Sequence, residues 1–466
     1  MDKILWGKVL NFNFDLQTDQ YGFSTRLALE NHWTLYFTQT AILEYKRFMF
    51  LAATNNEMVS PSEIVDIVWH QHLIFTNSYT NFCDVLGKRI EHIPSTHNRS
   101  EFEKFQKAKD RTKELYNSNF GTQPVEVWDY VNELDSLNLG KSRFEVSKLR
   151  KLFLRYSIFL SFPVCFFIFP LLIKIPNPYF LIGYLLLFGL TVVVLEFYTK
   201  RGFTLLYEEI KTHKILKNLS AFELVFFKEG KLEKVVHGVV NNLIINKKIK
   251  ILTNDRLELI DKNFSDNQYE NCVIEIMKDF DPMPYKQLCH AVMQKPIFEQ
   301  LQKATYRIKG RIMASKEFTF VVISTMISLG VLLAIIFSRL ITGIWRDKPI
   351  IFLLFAIIAL VLASLYYLDR VLNKMFTKII PSFFELEINK NNGKDINWEW
   401  DYFLYGNAVL YSFFIPITNY NTGISTWNNF SNSGSCGSSC GSSGGSSCGS
   451  SCGSSCGSSC GGCGGD

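Results

Sequence analysis

The dominant pattern along the chain is a set of long runs without Asp, Glu, Lys, Arg or His. Residues 156–173, 175–195, 318–338 and 349–368 contain 18, 21, 21 and 20 such positions. A hydrocarbon core about 30 Å thick requires about 20 apolar residues at 1.5 Å rise each. These runs predict four membrane spans in two hairpins, 152–198 and 318–368. Lys174 with Pro176 and Pro178 makes the first connection. No ionisable residue sits at mid-depth in any run, so the pattern describes an anchor better than an ion or proton pathway.

The flanks give the expected orientation. Residues 141–155 carry six Lys or Arg, 200–214 four and 303–316 five, against one in the first connecting loop and three in the second. The positive-inside tendency then places the N-terminal region, the segment between the hairpins and the C-terminus in the cytoplasm of a cell-membrane protein. The first residues, MDKILWGKVLNFNFDLQ, do not read as a secretory signal.

Outside the spans the period changes to three and four residues. RLALENHW and AILEYKRFMFLAA predict amphipathic helices in an N-terminal domain, residues 1–140. PSEIVDIVWHQHLIF predicts another, with Ser60 or Ser62 as cap and Glu63 and Asp66 in its first turn. On that helix His72 shares the apolar face of Ile64, Val68 and Phe75. His70 points about 200° away, one turn from Asp66. The two histidines therefore cannot hold one ion together. His72 is expected either as a satisfied core residue or, with His92 or His97 and one of Asp66, Cys83 or Glu91, as a Zn²⁺ ligand. In the enzyme form of that reading, His70 is a general base oriented by Asp66.

Residues 201–316 hold helix-like AFELVFFKE, capped by Ser220 with Glu223 and stopped at Gly230, then KLEKVVHGVVNNLIINKK and two β-rich runs around Asn254–Asp255. Helix, helix, hairpin is a winged-helix outline. Its second helix offers Lys231, Lys234, Asn241 and Asn242 to a groove but no arginine, so a protein-contact role is favoured over nucleic acid. His237 lies among valines and is expected to be packed, and Cys289–His290 is an isolated pair. The net charge of +6 adds nothing specific. The aromatic segment within 369–430, NWEWDYFLYGNAVLYSFFIP, is expected at a membrane interface.

The tail, residues 431–466, is Gly, Ser and Cys with no apolar surface to bury, which predicts disorder. Cys436, Cys440, Cys448, Cys452, Cys456, Cys460 and Cys463 recur mostly at every fourth residue. In a reducing compartment these are thiols able to converge on Zn or Cu, or simply part of a solvated repeat.

FSTRLALENHWT, EYKRFMFLAA, VSPSEIVDIVWHQHLIFTNSY, FCDVLGKRIEHIPST and ELYNSNFGTQPVEVW together resemble the glycine-rich domain-containing proteins. More closely, they resemble uncharacterised bacterial multi-pass membrane proteins that carry this domain and a Gly/Cys tail. The likeness covers about residues 20–130. It implies the architecture more than a chemistry. Where the family pattern has two adjacent histidines, this chain has Glu91 and His92.

The expected protein is thus mainly α: a helical N-terminal domain, four transmembrane helices, a small winged-helix-like α+β module and a disordered tail. Its expected role is a non-enzymatic membrane scaffold or sensor with protein partners or a second copy of itself. The alternatives are a metal-dependent enzyme and a membrane-tethered regulator.

Overall fold

The structure is a computed structural model that describes residues 2–16, 18–93, 99–252, 255–390 and 397–419. Seven helices build the N-terminal region: α1 (Lys3–Leu10), α2 (Phe23–Asn31), α3 (Leu35–Thr54), α4 (Glu63–Ile74), α5 (Thr76–Leu86), α6 (Arg99–Phe120) and α7 (Val125–Trp128). The hairpin helices α8 (Val146–Lys174) and α9 (Asn177–Ile210) follow. The segment between hairpins holds α10 (Lys214–Lys217), α11 (Ala221–Glu229), α12 (Leu232–Ile245), β1 (Ile249–Ile251), β2 (Arg256–Leu259), α13 (Gln268–Asp279), β3 (Met283–Pro284), α14 (Tyr285–Met293) and α15 (Pro296–Met313). Then come α16 (Lys316–Trp345), α17 (Ile351–Lys374), a π-helical turn (Met375–Ile379), α18 (Ile380–Lys390), α19 (Trp398–Tyr405) and α20 (Ile415–Asn419).

Four helices are long and apolar enough to cross a membrane: Val146–Lys174, Tyr179–Ile210, Lys316–Trp345 and Ile351–Lys390. The predicted spans 156–173 and 318–338 lie inside two of them, while 175–195 and 349–368 begin four and two residues before the other two. The helices run on beyond the apolar runs at the end that carries the folded parts. Helices α8 and α16 run side by side because both present small residues at every fourth position. Ser157, Ser161 and Cys165 face Gly330, Ala334 and Ser338. The Ser338 hydroxyl donates to the Ser161 carbonyl at 2.8 Å, and a Cβ on Gly330 would lie 3.4 Å from Ser157 Oγ. Small side chains let two backbones approach where lipid offers no hydrophobic drive. The outer faces of α8, α9 and α17 stay apolar and open, Phe166 and Phe352 being 80% and 84% exposed. At the far end, the Arg339 guanidinium donates to the Leu172 and Ile175 carbonyls where α8 terminates, satisfying acceptors that the helix itself cannot.

The π turn lies just before Pro381. Proline has no N–H and crowds the preceding turn, which disturbs regular α bonding there. The turn stays buried, with Phe376 stacked on Phe227 at 5.9 Å. It carries helix α17 out of the bundle without a break.

In the segment between hairpins, the predicted caps are present. Ser220 and Glu223 form a reciprocal capping box, and Gly230 ends α11 at φ 67°. Strands β1 and β2 pair antiparallel, Ile249 opposite Leu259, and β3 adds a third strand on β2. The second helix of the winged-helix outline is enclosed. Asn241 bonds to Val409 and Tyr411, and Asn242 to Glu270. Two of the four residues that could face a nucleic-acid groove are therefore internal.

The aromatic segment packs on the segment between the hairpins, with Tyr405, Tyr411 and Phe413 left exposed. Helix α19 lies on α11 and α12: Trp398 packs against Phe222 at 5.5 Å, and the Tyr402 hydroxyl donates to the Lys234 carbonyl at 2.7 Å. Only a glycine fits beneath it, since a Cβ on Gly238 would fall 2.6 Å from the Tyr402 ring. Its aromatic side chains find a protein groove, which buries apolar area and also supplies a hydroxyl acceptor.

The N-terminal region is seated on α15. Gln300 donates to the Trp33 carbonyl at 2.6 Å, Arg307 pairs with Glu133 at 3.1 Å, and Lys141 bridges to Ser315 in β fashion. Met1 to Thr418 thus forms one packed unit. The tail cysteines, His97 and Asn254 lie outside the described residues.

Candidate metal centre

Helix α4 begins where Ser62 accepts the Val65 amide at 3.2 Å. Four-residue spacing then puts Asp66 and His70 on one side of the helix. Helix α5 stops at Gly87, φ 71°, and the chain turns back towards α4. The Tyr79 hydroxyl holds the Ile90 carbonyl, and the His92 ring stands edge-on to Trp69 at 4.6 Å. His92 is thereby carried to the Asp66–His70 face.

The result is a three-residue cluster. His70 Nε2 lies 2.9 Å from His92 Nε2, and His92 Nε2 lies 3.0 Å from Asp66 Oδ1. His70 Nε2 lies 3.6 Å from Asp66 Oδ2. All three ligand atoms fall within 4.8 Å of one another. Four ligands at Zn–N distances of 2.0–2.1 Å stand about 3.3 Å apart in a tetrahedron. The observed separations bracket that value. Two imidazole nitrogens and one carboxylate are also the donor types that suit zinc and its neighbours. The residues therefore fit such an ion. The site is open on one side: His70 is 58% exposed, Asp66 29% and His92 18%.

His72 and Cys83 do not join it. His72 is fully buried, with Nδ1 2.9 Å from the Tyr45 hydroxyl and Nε2 3.1 Å from Ser78 Oγ. Phe14, Phe23 and Phe82 surround the ring. Burial holds its pKa down to about 3, so it stays neutral. Cys83 is a buried free thiol beside Tyr79. Glu91 is exposed and paired with Arg89 at 2.9 Å. Of the predicted cluster, the structure brings His70 rather than His72 to His92, and Asp66 faces both. The helix geometry correctly separated His70 from His72. It could not tell which of the two faces the returning loop would meet.

Two further polar clusters are buried, one of them around His237, which is packed as its valine surroundings predict. Glu44, 1% exposed, accepts from the Tyr116 hydroxyl at 2.7 Å and Trp128 Nε1 at 2.8 Å, and pairs with Arg47 at 2.6 Å. His237 Nδ1 lies 2.5 Å from the Tyr285 hydroxyl, and burial holds its pKa down to about 3. Burial also pushes the neighbouring Cys289 thiol up to about 12, leaving it unreactive.

Residues 26–117, which include the whole cluster, match the family described as UCP032817-like. A 91-residue stretch is 30% identical to glycine-rich domain-containing protein 2 of Arabidopsis thaliana. That stretch is 18% of this chain and 12% of the plant protein. No solved structure matches the chain.

Proposed function

We propose that this is an integral membrane protein whose N-terminal glycine-rich-domain-like region binds one zinc-class ion through Asp66, His70 and His92 and acts as a metal-responsive scaffold. The observation that carries the reading is the convergence of three ligand atoms from α4 and a separate loop. Two imidazole nitrogens and a carboxylate oxygen at these distances can, with the ring protons on Nδ1, all turn a lone pair to a shared cation. Asp66 sits in the first turn of α4, where a carboxylate is favoured.

In this reading the two hairpins anchor the protein in the cell membrane, with both ends in the cytoplasm. The winged-helix-like segment at 201–316 is a contact module for protein partners or a second copy. Relatives are sought among bacterial multi-pass proteins with Gly/Cys tails. The seven tail thiols would form a second, softer site for Zn or Cu. An enzymatic reading draws on one feature, a three-ligand site open on one side, which is how catalytic zinc sites are built. The ion would then supply an activated water.

The test uses full-length protein in detergent, with the tail cysteines replaced by serine so that only the N-terminal site is counted. After stripping and reloading with zinc, elemental analysis should give one ion per chain. His70→Ala and His92→Ala should each weaken binding at least about tenfold. His72→Leu should keep the ion. A folded protein that takes up no zinc, or His92→Ala binding as tightly as the parent, would end this reading.

A further inference from the structure

At the end of the bundle that carries the folded parts, charges appear on three helices at one level. Arg150 of α8 pairs with Asp369 of α17 at 2.5 and 2.8 Å. Glu196 of α9 stands 3.2 Å from Arg370 and 3.0 Å from Lys374. Lys374 is 3% exposed and is fully engaged, donating also to the Glu196 carbonyl and Thr199 Oγ1. These cross-helix bonds fix the level of α9 against α17.

One turn further from the apolar zone, the same seam continues with Lys200, four residues after Glu196, and Lys378, four after Lys374. Both are exposed, and Lys378 lies within electrostatic reach of Glu196. Three cations, Arg370, Lys374 and Lys378, face this one carboxylate, and Lys200 follows it by four residues on α9. Lys374 and Arg370 share that carboxylate, which leaves the seam with a net positive charge at the lipid–water boundary. On the outer faces of the two helices, Phe197 beside the seam and Leu362 two turns deeper on α17 are 72% and 62% exposed. A cationic seam with exposed apolar side chains beside and beneath it suits a ligand with an anionic head and hydrocarbon chains.

We propose that the α9–α17 seam is a binding site for an anionic phospholipid, its headgroup phosphate held by Lys200, Arg370 and Lys378 and its acyl chains along Phe197 and Leu362. The proposal rests on the reading of the four helices as membrane spans and is independent of the metal centre. Each exposed cation near a headgroup contributes about fivefold in affinity.

The experiment reconstitutes full-length protein in nanodiscs of equal phosphatidylglycerol and phosphatidylcholine and counts retained lipids by native mass spectrometry. Phosphatidylglycerol should be retained about 25-fold over phosphatidylcholine, about fivefold for each of Lys200 and Lys378. The triple variant Lys200→Gln, Arg370→Gln, Lys378→Gln should bring the two near parity, while Lys348→Gln in the far loop should not. If the triple variant melts early, Lys378→Gln alone, an exposed change, should still lower the preference. Parity in the parent protein, or an unchanged preference in the variants, overturns the site. Displacement of the lipid by millimolar inorganic phosphate overturns the lipid as its ligand. Release of the protein from vesicles by alkaline carbonate would instead overturn the membrane reading itself.

Discussion

The bundle of four long apolar helices and the N-terminal helices use their buried hydroxyls and polar rings differently. In the bundle they turn inward to backbone. Ser157 donates to the Phe153 carbonyl, Thr325 to Val321, and Ser338 to both Ala334 and Ser161. These hydroxyls are used within their own helix or its neighbour, while Ser364 Oγ and the Tyr367 hydroxyl of α17 are buried without a hydrogen-bond partner. In the N-terminal region polar side chains meet one another across elements: Tyr45 with His72 and Ser78, Glu44 with Tyr116 and Trp128, Asp66 with His70 and His92. Such networks require partners brought from far along the chain. The contrast concentrates the cross-element polar networks in the N-terminal region, and in the bundle it leaves the charged seam as their counterpart.

That contrast can be broken in four places. The largest effect is expected at Glu44. Glu44→Ala leaves Arg47, Tyr116 and Trp128 without their common acceptor, at a cost of about 3–5 kcal/mol. Thermal melting of the full-length protein measures it, and a shift no larger than that of a surface variant would refute the network's importance.

Acid comes next. His72 and His237 are held neutral, with folded values near 3 against 6.5 when unfolded. Their contribution is complete above pH 6.5 and is lost as the pH falls towards 3. Between pH 7 and pH 5 each should cost up to about 2 kcal/mol. His72→Leu should flatten part of that slope, and an unchanged slope would assign it elsewhere.

Third, His72→Ala and His92→Ala should separate stability from binding. The first strands the Tyr45 hydroxyl and Ser78 and costs about 1–3 kcal/mol, yet retains metal. The second loses metal and costs about 1 kcal/mol or less, because the site lies at the surface. Parallel melting and metal analysis would show whether the two histidines exchange these roles.

The smallest effect belongs to the bundle. Ser338→Ala removes a hydroxyl that bridges α16 to α8 and should cost about 0.6 kcal/mol in detergent. A cost of several kcal/mol would mean that the bundle, too, depends on a polar network.

The sequence by itself determined the elements whose signals are local. Apolar length found the four long helices, Ser220 with Glu223 found a capping box, Gly230 and Gly87 found helix ends, and four-residue spacing put Asp66 beside His70. These are properties of a few consecutive residues, and their physics acts within one or two turns. Tertiary structure decided what those elements meet. It sent His72 into an aromatic core and brought His92 to Trp69 and His70. It laid the aromatic helix α19 over α11 and seated α2 on α15. Each outcome depends on how distant surfaces compete for burial and hydrogen bonds, and that competition is settled only when the whole chain has packed.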